Sequence, residues 1–360
     1  MLFSSEQSRS SAVSGSACAG RLGFGAAAIG NLYQRVEAPV AQAAVAAALE
    51  AGIGYFDVAP HYGQGLAERR LGAGLAASAG GAQVIVSTKV GRVLKPIDPP
   101  PVGTLRHGFV DGDPYEPEFD YSYDGVLRSF EDSLKRLGRE RIDILLAHDL
   151  GQVTHGDAHA QHYRDFMNGG YRAMCELKAQ GLVQAIGLGV NEVAICEEVL
   201  QDADLDVVLL AGRYTLLEQS PLERFFPLCA DRGVSVIAAA PFNSGILIEG
   251  PKQGAHYNYA PASQAIIERV SRLQAVCQAH AVPLAAAALQ FPLAHPVVSR
   301  LLIGMGHASQ VDANLSYARV VIPDAFWSDL KSEGLLPEGA PVPAPEVPAP
   351  EVVVARGGEL

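Results

Sequence analysis

Residues 123–150 read YDGVLRSFEDSLKRLGRERIDILLAHDL, and a change of pattern inside them decides the fold. Up to Gly138 the apolar residues recur at helical spacing, with Val126, Leu127, Phe130, Leu134 and Leu137 on one face. From Ile142 to Ala147 the apolarity is nearly continuous, which marks a strand covered on both faces, as parallel strands are. The alternation recurs along the chain. Strand-like runs fall near 22–28, 54–58, 83–88, 142–147, 184–190, 206–211, 234–240 and 299–304, each followed by a stretch with helical spacing. The stretch 263–282 repeats the helical pattern, and 170–181 ends on a glycine suited to close a helix. An open doubly wound sheet and a closed barrel compete for such βα repeats. The span from about 19 to 332, with no proline- or glycine-rich linker midway, predicts a single-domain α/β fold, the (β/α)8 TIM barrel.

Residues 19–335 are therefore assigned to the barrel. Residues 1–18, rich in Ser, Ala and Gly, and residues 336–360, rich in Pro, are expected to be disordered tails, because such compositions bury too little apolar surface to offset chain entropy. A formal charge of -12 and a pI near 5.3 exclude a nucleic-acid surface. No apolar run reaches membrane-spanning length. Cys18, Cys175, Cys196, Cys229 and Cys277 are odd in number and widely spaced, which suits neither a disulfide framework nor a zinc knuckle and points to the cytoplasm.

Two connections, 91–122 and 149–169, are too long for simple loops and leave the C-terminal ends of strands, where barrel active sites lie. Polar residues gather at the same ends: Asp57 with Tyr62 just beyond, Lys89, and His148 followed by Asp149. Each has a bland reading when taken alone, as a helix cap, a core tyrosine, a rim lysine or a buried histidine. On one rim they make chemical sense together. A tyrosine with a pKa of ~10 carries protons poorly at neutral pH until a cation favours its phenolate. An aspartate keeps the lysine charged and fixed, and the histidine orients a substrate oxygen. The set suits proton transfer at an alcohol or carbonyl, coupled to a step done by a cofactor.

The segments FDVAPHYGQGLAERRLG, VIVSTKVGR, YDGVLRSFEDSLKRLGRERIDILLAHD and AIGLGVNE, in that order, resemble the aldo-keto reductases over nearly the whole barrel. APFNSGIL and AAALQFPLAHPVV are similar to the sugar-oxidising branch, the L-fucose, D-threo-aldose and L-galactose 1-dehydrogenases, with pyridoxal 4-dehydrogenase close by. The resemblance implies a tetrad of Asp57, Tyr62, Lys89 and His148, with Tyr62 as general acid/base, and oxidation of an aldose at C1 to a lactone. Pyridoxal, which also forms a cyclic hemiacetal, or a general aldehyde is the runner-up substrate. Tyr33 and His61 are expected to join Tyr62 and His148 at the substrate, with walls from the two insertions and the segment 256–261.

A nicotinamide dinucleotide extended across the barrel mouth is implied as well. GLGVNE contains GxG but lacks the third glycine of a Rossmann fingerprint. Asn191 corresponds to the residue that holds the carboxamide, and Pro241, Phe242, Asn243, Ser244, Gly245 and Leu247 match the loop over the pyrophosphate. Gly25, Ala26, Tyr214, Gly304, Gly306, Gln310 and Asn314 complete the implied cofactor contacts. Two positions depart from the family: Ala239 stands where a tyrosine often stacks on the nicotinamide, and Ala211 where a glutamine contacts the carboxamide. With Gly304, Gly306 and Gln310 at the positions that carry Lys or Arg in NADP users, and His307 as the only cation there, NAD is expected over NADP.

A metal hydrolase using His148, Asp149, His155, His159 and His162 is a weaker reading, since no HxH ends the first strand. No metal is expected. A non-catalytic dinucleotide-binding subunit is the alternative from another class, and the intact tetrad argues against it.

Overall fold

The computed structural model describes residues 18–258 and 260–344. The tail segments 1–17 and 345–360, and Tyr259 of the 256–261 segment, lie outside the described residues. Eight parallel strands close into a barrel: β1 (Leu22–Gly25), β2 (Tyr55–Asp57), β3 (Ile85–Val90), β4 (Ile142–His148), β5 (Val183–Val190), β6 (Val207–Ala211), β7 (Ser235–Ala239) and β8 (Val298–Gly304). β8 pairs with β1 through Leu22–Leu301 to Gly25–Gly304, which completes the ring. All eight coincide with the strands read from the sequence.

Around them run α1 (Ala38–Glu50), α2 (Leu66–Ala77), α3 (Tyr123–Leu137), α4 (Tyr171–Ala179), α5 (Val193–Asp202), α6 (Phe225–Arg232), α7 (Gln264–Ala279), α8 (Leu284–Gln290), α9 (Ala308–Ala318) and α10 (Asp324–Ser332). α3 starts where the Ser122 hydroxyl accepts from Gly125 N at 3.1 Å and stops at Gly138 in the left-handed region. Its apolar face buries Val126, Phe130 and Leu137 against the outside of the strands.

Alternate side chains fill the barrel, with Tyr55, Ile144, Leu146, Ala185, Val207, Leu209, Ile237, Ala239 and Leu302 forming one buried cluster. A Cβ on Gly23 would stand 2.5 Å from the Tyr55 ring, so β1 yields its interior space to that tyrosine. Asp143 is the charged residue inside β4, and its carboxylate accepts from Val86 N at 2.8 Å and from Gln184 Nε2 at 3.1 Å. The buried Glu68 of α2 likewise accepts from Thr88 Oγ1 at 2.8 Å and Arg136 Nε at 2.6 Å, locking α2 to β3 and α3.

The first long connection folds into two hairpins, Arg92–Pro96 with Tyr115–Phe119 and Leu105–Arg106 with Phe109–Val110. The second is short helical turns, Gln152–His155 and His159–Asp165, leading into α4. One boundary moves. Leu336 and Ala340, expected in a tail, are 2 % and 1 % exposed and belong to the core, because Leu335 and Leu336 both donate backbone bonds to Leu330 O at the end of α10. Cys18 is buried too. Among the described residues the cysteines are free, and no single helix is long and apolar enough to cross a membrane.

Candidate active site

The C-terminal ends of β2, β3 and β4 bring Asp57, Lys89 and His148 to one rim. Lys89 is 2 % exposed, and its Nζ donates to Asp57 Oδ2 at 2.7 Å and to Val58 O at 2.9 Å. Ser87 donates to Asp57 Oδ1 at 2.6 Å and shares a hydrogen bond of 2.8 Å with Tyr55. Both carboxylate oxygens are thus fixed. Gly189 on β5 makes the space for this arrangement: a Cβ there would stand 3.1 Å from Lys89 Cε.

Tyr62 arrives from the turn after β2. Gly63, Gln64 and Gly65 are successively left-handed, with φ of 62°, 54° and 100°, and a Cβ on Gly63 would meet Gly30 O at 2.4 Å. The turn lays the tyrosine ring 4.9 Å from Lys89 Nζ and edge-on to His148 at 5.8 Å between centroids. Burial, followed by the charges of Arg92 and Lys89 and by His61, holds the His148 imidazole well below the usual histidine range. His148 is therefore neutral at physiological pH.

His61 joins the same group. Its ring lies 6.1 Å from His148 and 5.5 Å from Phe109, and its Nδ1 is buried with no hydrogen-bond partner among the described residues. Burial first, then Arg92, His107 and Lys89, push its pKa down to about 3. Tyr33, in contrast, is 61 % exposed and left-handed, with its N–H on Gly108 O, so it stands at the rim. Phe109 and His107, which sequence reasoning missed, come from the second hairpin of the first insertion. Phe109 packs 6.0 Å from the Tyr62 ring. No pattern in the sequence marks them, because their position depends on how the hairpin folds back over the mouth.

The implied cofactor residues divide. Asn191 follows β5, and Asn243 lies in the loop after β7; each has a buried Oδ1 without a partner among the described residues. Ala240, Asn243, Ser244 and Gly245 are all left-handed, so the 240–245 loop is a tight irregular turn, with Pro241 and Phe242 buried inside it and Leu247 buried in the short helix beyond. Gly304 ends β8 beside Gly25, with open space where its Cβ would be. Ala239 and Ala211 are register neighbours inside the top of the barrel, packed with its interior cluster.

The expectation for Tyr214 needs correction, and the remaining implied residues are engaged within the protein. Tyr214 is 1 % exposed and packed between Phe226, Phe291 and His295, so its ring belongs to the core rather than to the mouth. Ala26 is buried and its N–H is spent on Asp57 O. Gln310 caps α9, its Oε1 accepting from Gly306 N at 2.7 Å and His307 N at 3.2 Å, and Asn314 is buried on the same helix. The histidines of the second insertion separate: the His155 and His162 rings lie 4.2 Å apart, tilted by 40°, while His159 faces Leu150 O and Glu198. Among the described residues no group of three or more His, Cys, Asp or Glu converges on a metal position.

Residues 21–333 match the aldo/keto reductase family. The chain belongs to that family. As an aldo-keto reductase it is an NAD(P)-dependent oxidoreductase. It is 45% identical over 324 residues to pyridoxal 4-dehydrogenase of Microbacterium luteolum, covering 88% of this chain and 94% of the relative. It is 38% identical over 320 residues to D-threo-aldose 1-dehydrogenase of Pseudomonas sp, with the same coverage, and 30% identical over 302 residues to L-galactose dehydrogenase of Arabidopsis thaliana, covering 82% and 83%. Among solved structures it resembles aldo-keto reductase AKR11C1 of Bacillus halodurans, with a TM-score of 0.67 and 25% identity over 88% of this chain and 91% of that one.

Proposed function

We propose that this aldo-keto reductase oxidises a cyclic hemiacetal at its hydroxyl-bearing carbon to a lactone. The observation that carries the reading is the Tyr62 ring 4.9 Å from the Lys89 ammonium and 5.8 Å from the His148 imidazole. A cation 4.9 Å from the ring favours the phenolate, so Tyr62 takes the proton of the anomeric hydroxyl. His148, kept neutral, hydrogen-bonds the same oxygen without adding a charge. The Asp57–Lys89 pair stays fixed throughout, since Ser87 and Val58 O complete its hydrogen bonds.

A bound nicotinamide dinucleotide supplies the hydride acceptor. The unpartnered amide oxygens of Asn191 and Asn243 fit its polar groups. NAD is the preferred form, because Gly304, Gly306 and the capping Gln310 offer no charge to a 2′-phosphate.

Aldoses and pyridoxal are both candidate substrates: relatives are named for each, and both form cyclic hemiacetals. Initial rates with NAD and NADP against L-fucose, L-galactose, D-arabinose and pyridoxal are expected to show turnover with at least one and higher efficiency with NAD. Tyr62→Phe is expected to lower kcat by about 10²–10⁴-fold, the range of lost acid–base catalysis, while dinucleotide binding by calorimetry persists. Undiminished turnover in that variant overturns the role of Tyr62.

A further inference from the structure

One ion pair at the mouth takes no part in the proton transfer. Arg92 lies two residues beyond β3, and its Nη2 donates to Asp149 Oδ2 at 2.8 Å. The same oxygen stands 3.4 Å from His148 Nε2. The guanidinium is 8% exposed and stacks 4.5 Å over the Phe119 ring, which fixes its plane. Its Nη1 is buried and has no hydrogen-bond partner among the described residues. Asp149 itself is held in the left-handed region, with φ of 48°. A buried cationic donor with no acceptor is costly, and an arriving oxygen relieves it. Through Asp149 the guanidinium lies beside His148, whose ring is 5.8 Å from that of Tyr62, which puts it at the substrate end of the mouth.

Resting on the hemiacetal reading, we infer that Arg92, held by Asp149, sets specificity by donating a hydrogen bond from Nη1 to a second substrate oxygen beside the reacting carbon. Asp149 links the two sites, because one of its oxygens faces both Arg92 and His148. With both groups gathered around that oxygen, one small molecule can meet His148 with one oxygen and Arg92 with another. The C2 hydroxyl of an aldose and the phenolic oxygen of pyridoxal share this chemistry. A guanidinium serves either, and its planar fork keeps one nitrogen for Asp149 and one for the substrate.

The test crosses a protein change with a substrate change. Wild type, Arg92→Lys and the double variant Arg92→Met/Asp149→Asn are assayed with L-fucose against 2-deoxy-L-fucose and with pyridoxal against 3-deoxypyridoxal. The double variant leaves no carboxylate unpaired beside His148, and Arg92→Lys keeps the charge while removing the second nitrogen. In at least one pair, wild type is expected to favour the oxygenated substrate by about 10- to 100-fold in kcat/KM, the ratio a hydrogen bond to a charged group supplies. That ratio collapses towards one in both variants, and the pair that shows it identifies the substrate oxygen. A ratio as large in the variants as in wild type, or near one in wild type for both pairs, overturns the inference. 2-Hydroxytetrahydropyran, a hemiacetal without other hydroxyls, separates the two ideas. Its oxidation by wild type sustains the hemiacetal reading whatever the ratios show, and failure to oxidise any hemiacetal overturns that reading and the inference with it.

Discussion

Lys89 brings its charge into a barrel of aliphatic side chains and meets Asp57 there at 2.7 Å, both almost wholly buried. Removing one member of such a pair strands the other in low dielectric. Lys89→Met is therefore expected to lower stability by about 3–5 kcal/mol, read as a fall in the urea midpoint, besides abolishing turnover. Lys89→Met/Asp57→Asn is expected to regain part of that stability without regaining activity, since no bare carboxylate remains. Equal destabilisation by the single and double variants would show that shape rather than charge holds this site. The residues of the pair were legible in the sequence because they interrupt apolar runs at strand ends. Ser87 and Tyr55, which complete the network, were not, since serine and tyrosine inside a strand carry no signal of their own.

The turn of residues 62–65 converts the direction of β2 into the position of the Tyr62 ring. Gly63 combines φ of 62° with a contact to Gly30 O that leaves no space for a methyl group. Gly63→Ala is expected to cost about 1–3 kcal/mol and to lower kcat, because the turn must shift and the ring shifts with it. Gly52, at φ of 80° with nothing near its would-be Cβ, provides the comparison. Gly52→Ala carries backbone strain only, so thermal melts and kcat measured side by side should separate the two, with kcat retained in Gly52→Ala. At this scale the strands and the helices α3 and α7 were readable from periodicity. The hairpins of the first insertion were not, and with them went Phe109 and His107, because short antiparallel strands in a polar stretch have neither continuous apolarity nor helical spacing.

Over the whole molecule, acid sensitivity follows from the imidazoles at the mouth. His61 is held down to about pKa 3 and His148 is lowered well below the usual range, in both cases chiefly by burial. Both are neutral when folded, yet unfolded they protonate near pH 6.5. The unfolded chain therefore binds more protons as the pH falls below about 6.5, and stability falls with it until the folded-state pKa is reached. Each imidazole contributes a slope of up to about 1.4 kcal/mol per pH unit. Urea midpoints between pH 7 and pH 4.5 are expected to decline, and less steeply in His61→Asn. An identical decline in that variant would remove His61 from the account.

By itself the sequence determined the eight strands, their parallel order and the rim on which Asp57, Lys89 and His148 meet. Continuous apolarity and helical spacing are local patterns, and a carboxylate or ammonium ending an apolar run is visible without knowing what lies opposite. Tertiary structure alone decided which groups touch. It sent Tyr214 into the core, spent Gln310 on a helix cap, drew Leu336 and Ala340 into the core and turned Arg92 towards Asp149. These outcomes depend on what remains for a side chain once its neighbours from distant segments have taken their space and their hydrogen bonds, and no single segment carries that information.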